Sequence, residues 1–208
     1  MLAFPFRIAY VLGVREERDR MQELIAKAEM FATAAHNGAK QKRKVTGEDY
    51  IVHPKAVAAK TRYFFERLNV KFPDEYVDIA VAVAWLHDTI EDTGVKPADI
   101  EKFFDHEVSK DVLFMTHPMD PNMSRDERNA AYIEQLKQSS FRVQVVKLAD
   151  IDCNFEDIVE SHRNTDPKKQ FSKFERFINE KRKMIQALAQ VRDLDIAVRL
   201  LEKFDAFL

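Results

Sequence analysis

Residues 74–93 read Asp-Glu-Tyr-Val-Asp-Ile-Ala-Val-Ala-Val-Ala-Trp-Leu-His-Asp-Thr-Ile-Glu-Asp-Thr. Between Tyr76 and Leu86 only Asp78 is charged; the other ten positions are apolar or aromatic. A helix that is apolar all round is a buried helix. The alternation Val81-Ala-Val-Ala also fits a strand. The run is long, alanine-rich and free of glycine and proline until Gly94, which favours helix. It ends in four titratable groups: His87, Asp88, Glu91 and Asp92. Residues four apart share a helix face, so a continuous helix stacks His87 over Glu91 and Asp88 over Asp92. Buried charge costs several kcal/mol unless it is compensated. A bound cation is the simplest compensation here.

The rest of the chain fits a helical frame around this rod. Its 208 residues suit one domain, and a hydrophobic content of 46% supports a full core. Four glycines are too few for the turns of a sandwich or barrel. A net charge of −2 with 33% charged residues is not the footprint of a nucleic-acid binder. The single Cys153 leaves no intrachain disulfide and no cysteine zinc cluster, which fits a reducing, cytoplasmic setting. Residues 1–14 are apolar but interrupted by Arg7 and too short to span a bilayer. We therefore expect residues 1–20 to be an N-terminal extension packed on the core or on a partner, with the domain at 21–208.

In chain order, apolar spacing predicts a first helix over about 16–40, with Met21, Leu24, Ile25, Ala28, Phe31, Ala32 and Ala35 facing inward. A basic stretch follows at Lys40, Lys42, Arg43 and Lys44. It reads either as a solvated helix end or as a phosphate cradle. His53-Pro54 opens a second helix to about Leu68. Pro97 and His106 start two short helices, and residues 117–125 are a loop. Ser124 and Glu127 have the spacing of a capping box. Phe141 to Asp150 alternates at first but has no second strand to pair with, so helix is expected. After a polar loop at 161–168, the chain reads as helical from Pro167 to the end.

Six histidines are present, and His53, His87, Asp88 and Asp150 stand out. Asp150 ends the apolar run Val-Val-Lys-Leu-Ala, a polar residue where the pattern asks for an apolar one. Two imidazoles and two carboxylates make a mixed donor set that suits Mn²⁺, Fe²⁺ or Zn²⁺. Spacing alone does not bring four such distant positions together.

Three blocks carry a family resemblance. The first is Ala32-Thr-Ala-Ala-His-Asn-Gly-Ala-Lys-Gln-Lys-Arg-Lys44 with Gly47-Glu-Asp-Tyr-Ile-Val-His-Pro54. The second is Leu86-His-Asp-Thr-Ile-Glu-Asp-Thr93. The third is Val146-Lys-Leu-Ala-Asp150 with Asn154. Together they resemble the HD-domain hydrolases of the RelA/SpoT type, in particular the stand-alone small alarmone hydrolases that cleave (p)ppGpp. That resemblance implies an all-α, single-domain HD fold. It implies metal ligation by His53, His87, Asp88 and Asp150, with one Mn²⁺, and Glu91 and Asp92 as the pair that orients and deprotonates water. Arg43 would lie against the nucleobase with Lys44 beside it, and Asn154 would touch the nucleotide. His36 is expected to be structural; His106, His117 and His162 are expected at the surface.

The implied reaction removes the 3′-diphosphate of (p)ppGpp to give GDP or GTP and pyrophosphate, with no synthetase activity. The implied partners are the nucleotide and, as an open question, further copies of the chain; neither nucleic acid nor membrane is expected. Asp49 stands where relatives commonly have proline, and Ile151-Asp-Cys153 replaces a more basic segment. These departures leave (p)ppApp or another phosphorylated nucleotide or cofactor as an alternative substrate, and a non-catalytic nucleotide-binding module as a lesser one.

Overall fold

The computed structural model describes residues 4–44, 46–163 and 167–207, except for the side chains of 4–18 and 162–172. The described residues are helical, with no strand beyond a single bridge between Lys42 and Asp49. The helices run α1 (Phe4–Gly38), α2 (Val52–Glu66), α3 (Asp74–Leu86), α4 (Thr89–Thr93), α5 (Pro97–Phe103), α6 (His106–Met115), α7 (Arg125–Lys137), α8 (Phe141–Arg163), α9 (Pro167–Ala187) and α10 (Asp195–Phe207). The alternating segment from Phe141 is thus helix. No helix is long and apolar enough to cross a membrane among the described residues. The expectations for residues 1–14 and for His162 rest on side chains outside that description.

The apolar rod lies at the centre. Helix α3 packs against α1, α2, α6 and α8, and every residue from Asp78 to Leu86 is buried. Ala28 and Ala32 of α1 are fully buried, and these small residues let the two helix backbones approach closely. Val57, Ala58, Phe64 and Phe65 of α2 and Val145, Val146, Leu148 and Ala149 of α8 complete the core around it. Each large apolar side chain buried this way contributes about 1.5–3 kcal/mol. Asp78, the one charge between Tyr76 and Leu86, pairs with Arg62 of α2 at 2.6 Å. Asp74 and Glu75 sit in the first turn of α3, where the helix dipole favours acids.

Three helical expectations need correction. The first helix, expected from about residue 16, begins at Phe4. The run 74–93 is not one helix: it breaks at His87 and Asp88, between α3 and α4. Side chains cause the break by taking carbonyls of the last turn. His87 Nδ1 donates to Ala84 O at 2.7 Å, and Thr89 Oγ1 donates to Leu86 O at 2.7 Å. Such local bonds compete with the helical ladder. The chain is also not helical from Pro167 to its end. It turns at 188–194, where Leu188 and Val191 are fully buried. Gln190 holds that turn to the start of α8: its backbone N donates to Gln144 Oε1 at 3.2 Å and its Nε2 to Ser139 O at 2.9 Å.

The basic stretch forms a tight, hairpin-like loop. Arg43 N donates to Glu48 O at 2.9 Å and Tyr50 N to Gln41 O at 3.2 Å. Gly47 supplies the positive φ, 74°, that the turn requires. Of the loop's two acids, Asp49 is offset in place by Lys42 at 2.6 Å.

Candidate metal centre

The break after α3 positions the site. His87 caps α3, Asp88 precedes α4, His53 lies in the first turn of α2, and Asp150 lies within α8. Because α3 packs on both α2 and α8, these positions meet. One donor atom each from His53, His87 and Asp88 fall within 4.8 Å of one another. Asp150 Oδ1 is 3.2 Å from His53 Nε2 and 3.7 Å from His87 Nε2. Asp88 Oδ2 is 3.1 Å from His87 Nε2 and 3.7 Å from His53 Nε2.

The donors are oriented from behind. With its Nδ1 bound to a backbone carbonyl, His87 turns Nε2 inward; that nitrogen is buried and makes no hydrogen bond of its own. This is the tautomer that a metal-ligating imidazole needs. Tyr50 OH donates to Asp88 Oδ2 at 2.6 Å. Burial first, then the Asp88 carboxylate, push the Tyr50 phenol up, so it stays a donor. Asp150 receives Lys147 Nζ at 2.8 Å on Oδ2 and Asn154 Nδ2 at 2.6 Å on Oδ1.

The cluster attracts positive charge. Burial opposes ionisation of Asp88, but the two imidazoles outweigh it and hold its carboxyl well below the usual range. Burial acts the same way on Asp150, against Lys147 and the imidazoles, with the same net direction. Burial lowers the His87 imidazole, yet Asp88 and Asp150 together push it up to about 10. A proton on that ring is the simplest cation the pocket can take. The bare buried Nε2 and the N/O donor set fit a divalent ion at the same place.

Glu91 and Asp92 diverge from the stacked arrangement expected of a straight helix. Asp92 Oδ2 accepts Gln41 Nε2 at 2.8 Å, and burial raises its carboxyl more than that bond lowers it. Gln41 in turn accepts from His36 Nδ1 at 2.7 Å. Glu91 turns the other way, to His117. Burial raises the Glu91 carboxyl, and the bonds from His117 bring it net below its ordinary value. Arg43 lies over the Tyr50 ring at 5.4 Å and pairs with Asp157 of α8. Lys44 borders a cleft of about 780 Å³, shared with Glu91, His117, Asp120, Arg125 and Arg128. Asn154 is spent at least partly on Asp150.

Several neighbours escaped the sequence reading. Lys147 could have been found, because Lys147 and Asp150 are one turn apart within a buried run. Gln41, Tyr50 and His117 reach the site through the loop geometry, which leaves no periodic trace. Lys181 of α9 is a further cation near Lys147, Asp150 and Glu91; burial, then Lys147, lower its ammonium to about 8.

Fold and site together define a helical domain that presents a His-Asp pair, at the end of its central buried helix, to a candidate cation site. The chain belongs to the HD domain family, whose model matches residues 28–173. Among curated relatives, it is 35% identical over 127 residues to the guanosine-3′,5′-bis(diphosphate) 3′-pyrophosphohydrolase MESH1 of Mus musculus, covering 60% of this chain and 65% of the relative. It is 30% identical over 143 residues to the GTP pyrophosphokinase rsh of Brucella melitensis, covering 65% of this chain but 17% of that protein. The chain therefore spans only part of each. A solved structure described as a metazoan ortholog of SpoT that hydrolyzes ppGpp superposes with a TM-score of 0.69 at 22% identity, over 88% of this chain and 94% of that one. At that identity the likeness speaks for the fold.

Proposed function

We propose that this chain is a metal-dependent 3′-pyrophosphohydrolase of (p)ppGpp, with Mn²⁺ as its metal. The observation that carries the reading is the convergence of His53, His87, Asp88 and Asp150 beside Glu91, Asp92 and an open cleft edged by Lys44. The activities named for the mouse protein and in the description of the solved structure support the choice of substrate.

His53, His87, Asp88 and Asp150 would hold the metal. Bound there, such an ion lowers the pKa of water and neutralises phosphate charge. The chain's own residues do the rest. Glu91 orients the attacking water through the oxygen that His117 leaves free, and Asp92 accepts its proton. Water adds to the phosphorus that bears the 3′ oxygen. The P–O3′ bond breaks, O3′ gains a proton, and pyrophosphate leaves with GDP or GTP as the other product. Lys44, with Arg125 and Arg128 across the cleft, offers positive charge to a polyanionic nucleotide. Arg43 and Tyr50 present a flat cationic and aromatic surface to a base.

The test is turnover of ppGpp, pppGpp and ppApp by Mn²⁺-loaded protein, with products resolved. Pyrophosphate plus GDP from ppGpp is expected. Orthophosphate without pyrophosphate would overturn the reading and leave a different HD phosphohydrolase. A strong preference for ppApp would replace guanine by adenine.

A further inference from the structure

Glu91 is held by a residue to which neither composition nor motif gave a role. His117 donates to Glu91 Oε2 twice, from its backbone N at 3.1 Å and from Nδ1 at 3.0 Å. Both bonds fall on one oxygen, so Oε1 takes no part in the pair. A carboxylate only accepts, so the ring nitrogen facing it must carry the proton.

The imidazole is itself fixed from three sides. Its ring lies on Tyr132, with centroids 3.8 Å apart and planes 31° apart. Tyr132 is fully buried, and its OH donates to Met115 O at 2.6 Å, two residues before His117. Lys147, the partner of Asp150, stands over the same tyrosine ring at 4.8 Å. Pro118 follows, which confines His117 to extended backbone. An ordinary surface histidine lacks this support: the side chain of His106 is 81% exposed and its Nδ1 pairs with Glu101 at 3.1 Å. His117 also lines the same cleft as Glu91 and Lys44.

We infer that His117 is a positioning residue for Glu91, clamping one carboxylate oxygen so that the other is aimed at the reacting water. The inference rests on the assignment of Glu91 to that water. It commits His117 to acting through Glu91 and not through the substrate. Loss of the ring bond, which leaves the backbone N–H alone on Oε2, therefore lowers kcat and leaves KM nearly unchanged. Asparagine is the informative replacement, because its Nδ2 can donate from nearly the position of Nδ1.

The experiment compares wild type, His117→Ala, His117→Asn and Glu91→Gln on ppGpp with Mn²⁺, together with metal occupancy and ¹⁵N NMR of the His117 ring. The expected result is a fall in kcat of about 10–100-fold for His117→Ala, of the size seen when supports behind reacting groups are removed. Recovery of most of it in His117→Asn and full metal occupancy in both are also expected. The NMR should show Nδ1 protonated in wild type and perturbed by Glu91→Gln. A kcat for His117→Ala within about twofold of wild type overturns the inference. So does a loss that appears mainly in KM and is not rescued by asparagine, since His117 would then contact substrate. A ring protonated on Nε2 alone overturns it even if wild type does not act on ppGpp. That last failure, by contrast, counts against the proposed function.

Discussion

Asp150 carries two loads, and the difference between it and Asp88 can be measured. Its Oδ2 neutralises Lys147, whose side chain is 4% exposed, while its Oδ1 faces the imidazoles. Asp150→Ala should therefore lose metal and also strand a buried ammonium, at a cost of about 3–5 kcal/mol. Asp88 is 19% exposed; it accepts the Tyr50 hydroxyl, and its other neighbour, the His87 ring at 3.1 Å, can release its proton when the carboxylate is lost. Asp88→Ala should lose metal at a smaller cost, about 1–3 kcal/mol for an unpaired hydroxyl. Elemental analysis and denaturant melts separate the two effects, and full metal occupancy in either variant would sink the ligand assignment. His36 gives a pH prediction. Its Nδ1 is bound to Gln41, its Nε2 is buried without a partner, and burial lowers its pKa below 6.5. As the pH falls through 6.5 the unfolded chain takes up a proton that the folded one resists, so this contribution is full above 6.5 and is lost below it. His36→Asn keeps a donor for Gln41 and removes the titration. Its stability relative to wild type should improve between pH about 7.5 and about 5.5 in urea melts; an unchanged difference refutes this. At this scale the candidate ligands were legible because each breaks an apolar pattern or sits in a motif. His117 was not, because its partner lies 26 positions away across a loop.

Helix α7 shows how far local rules reach. Ser124 Oγ accepts from Glu127 N at 3.3 Å and Glu127 Oε2 from Ser124 N at 2.8 Å, the box that the spacing predicts. Ser124→Ala should cost about 1 kcal/mol and lower Tm by about 2–4 °C without changing metal content. Calorimetry checks it, and an unshifted Tm would mean the box adds nothing here. Helices α5, α6 and α8 were legible for the same kind of reason: a proline start, an apolar stripe, no competing strand. The break between α3 and α4 was not, since His87 and Thr89 are ordinary helical residues until their side chains find carbonyls. The turn at 188–194 has no glycine or proline either; it is held by Gln190 reaching across to Ser139 and to Gln144 of α8, a tertiary cause that no local pattern records.

At the scale of the whole molecule, the four candidate ligands tie α2, the α3–α4 junction and α8 to one point. The rod could be read as buried from residues 74–86 alone. That His53 and Asp150 arrive at its end could be taken only from the family resemblance and not from spacing, because convergence depends on how α2 and α8 pack against α3. The same packing would make a metal held by the proposed ligands a clamp on the fold. An ion that binds only the folded chain stabilises it by RT ln(1 + [M]/Kd), about 2.7 kcal/mol at 100 times Kd. At about 2–4 °C per kcal/mol for a chain of this size, Mn²⁺ should raise Tm by about 5–10 °C, and a chelator should reverse it. Asp88→Ala should melt at the same temperature with or without Mn²⁺. Ser124→Ala should keep the full increment from its lower starting point, because α7 contributes none of the four ligands and independent sites add. Calorimetry on the three proteins decides the matter. A Tm for wild type that Mn²⁺ leaves unmoved would mean that these four side chains do not close on the ion.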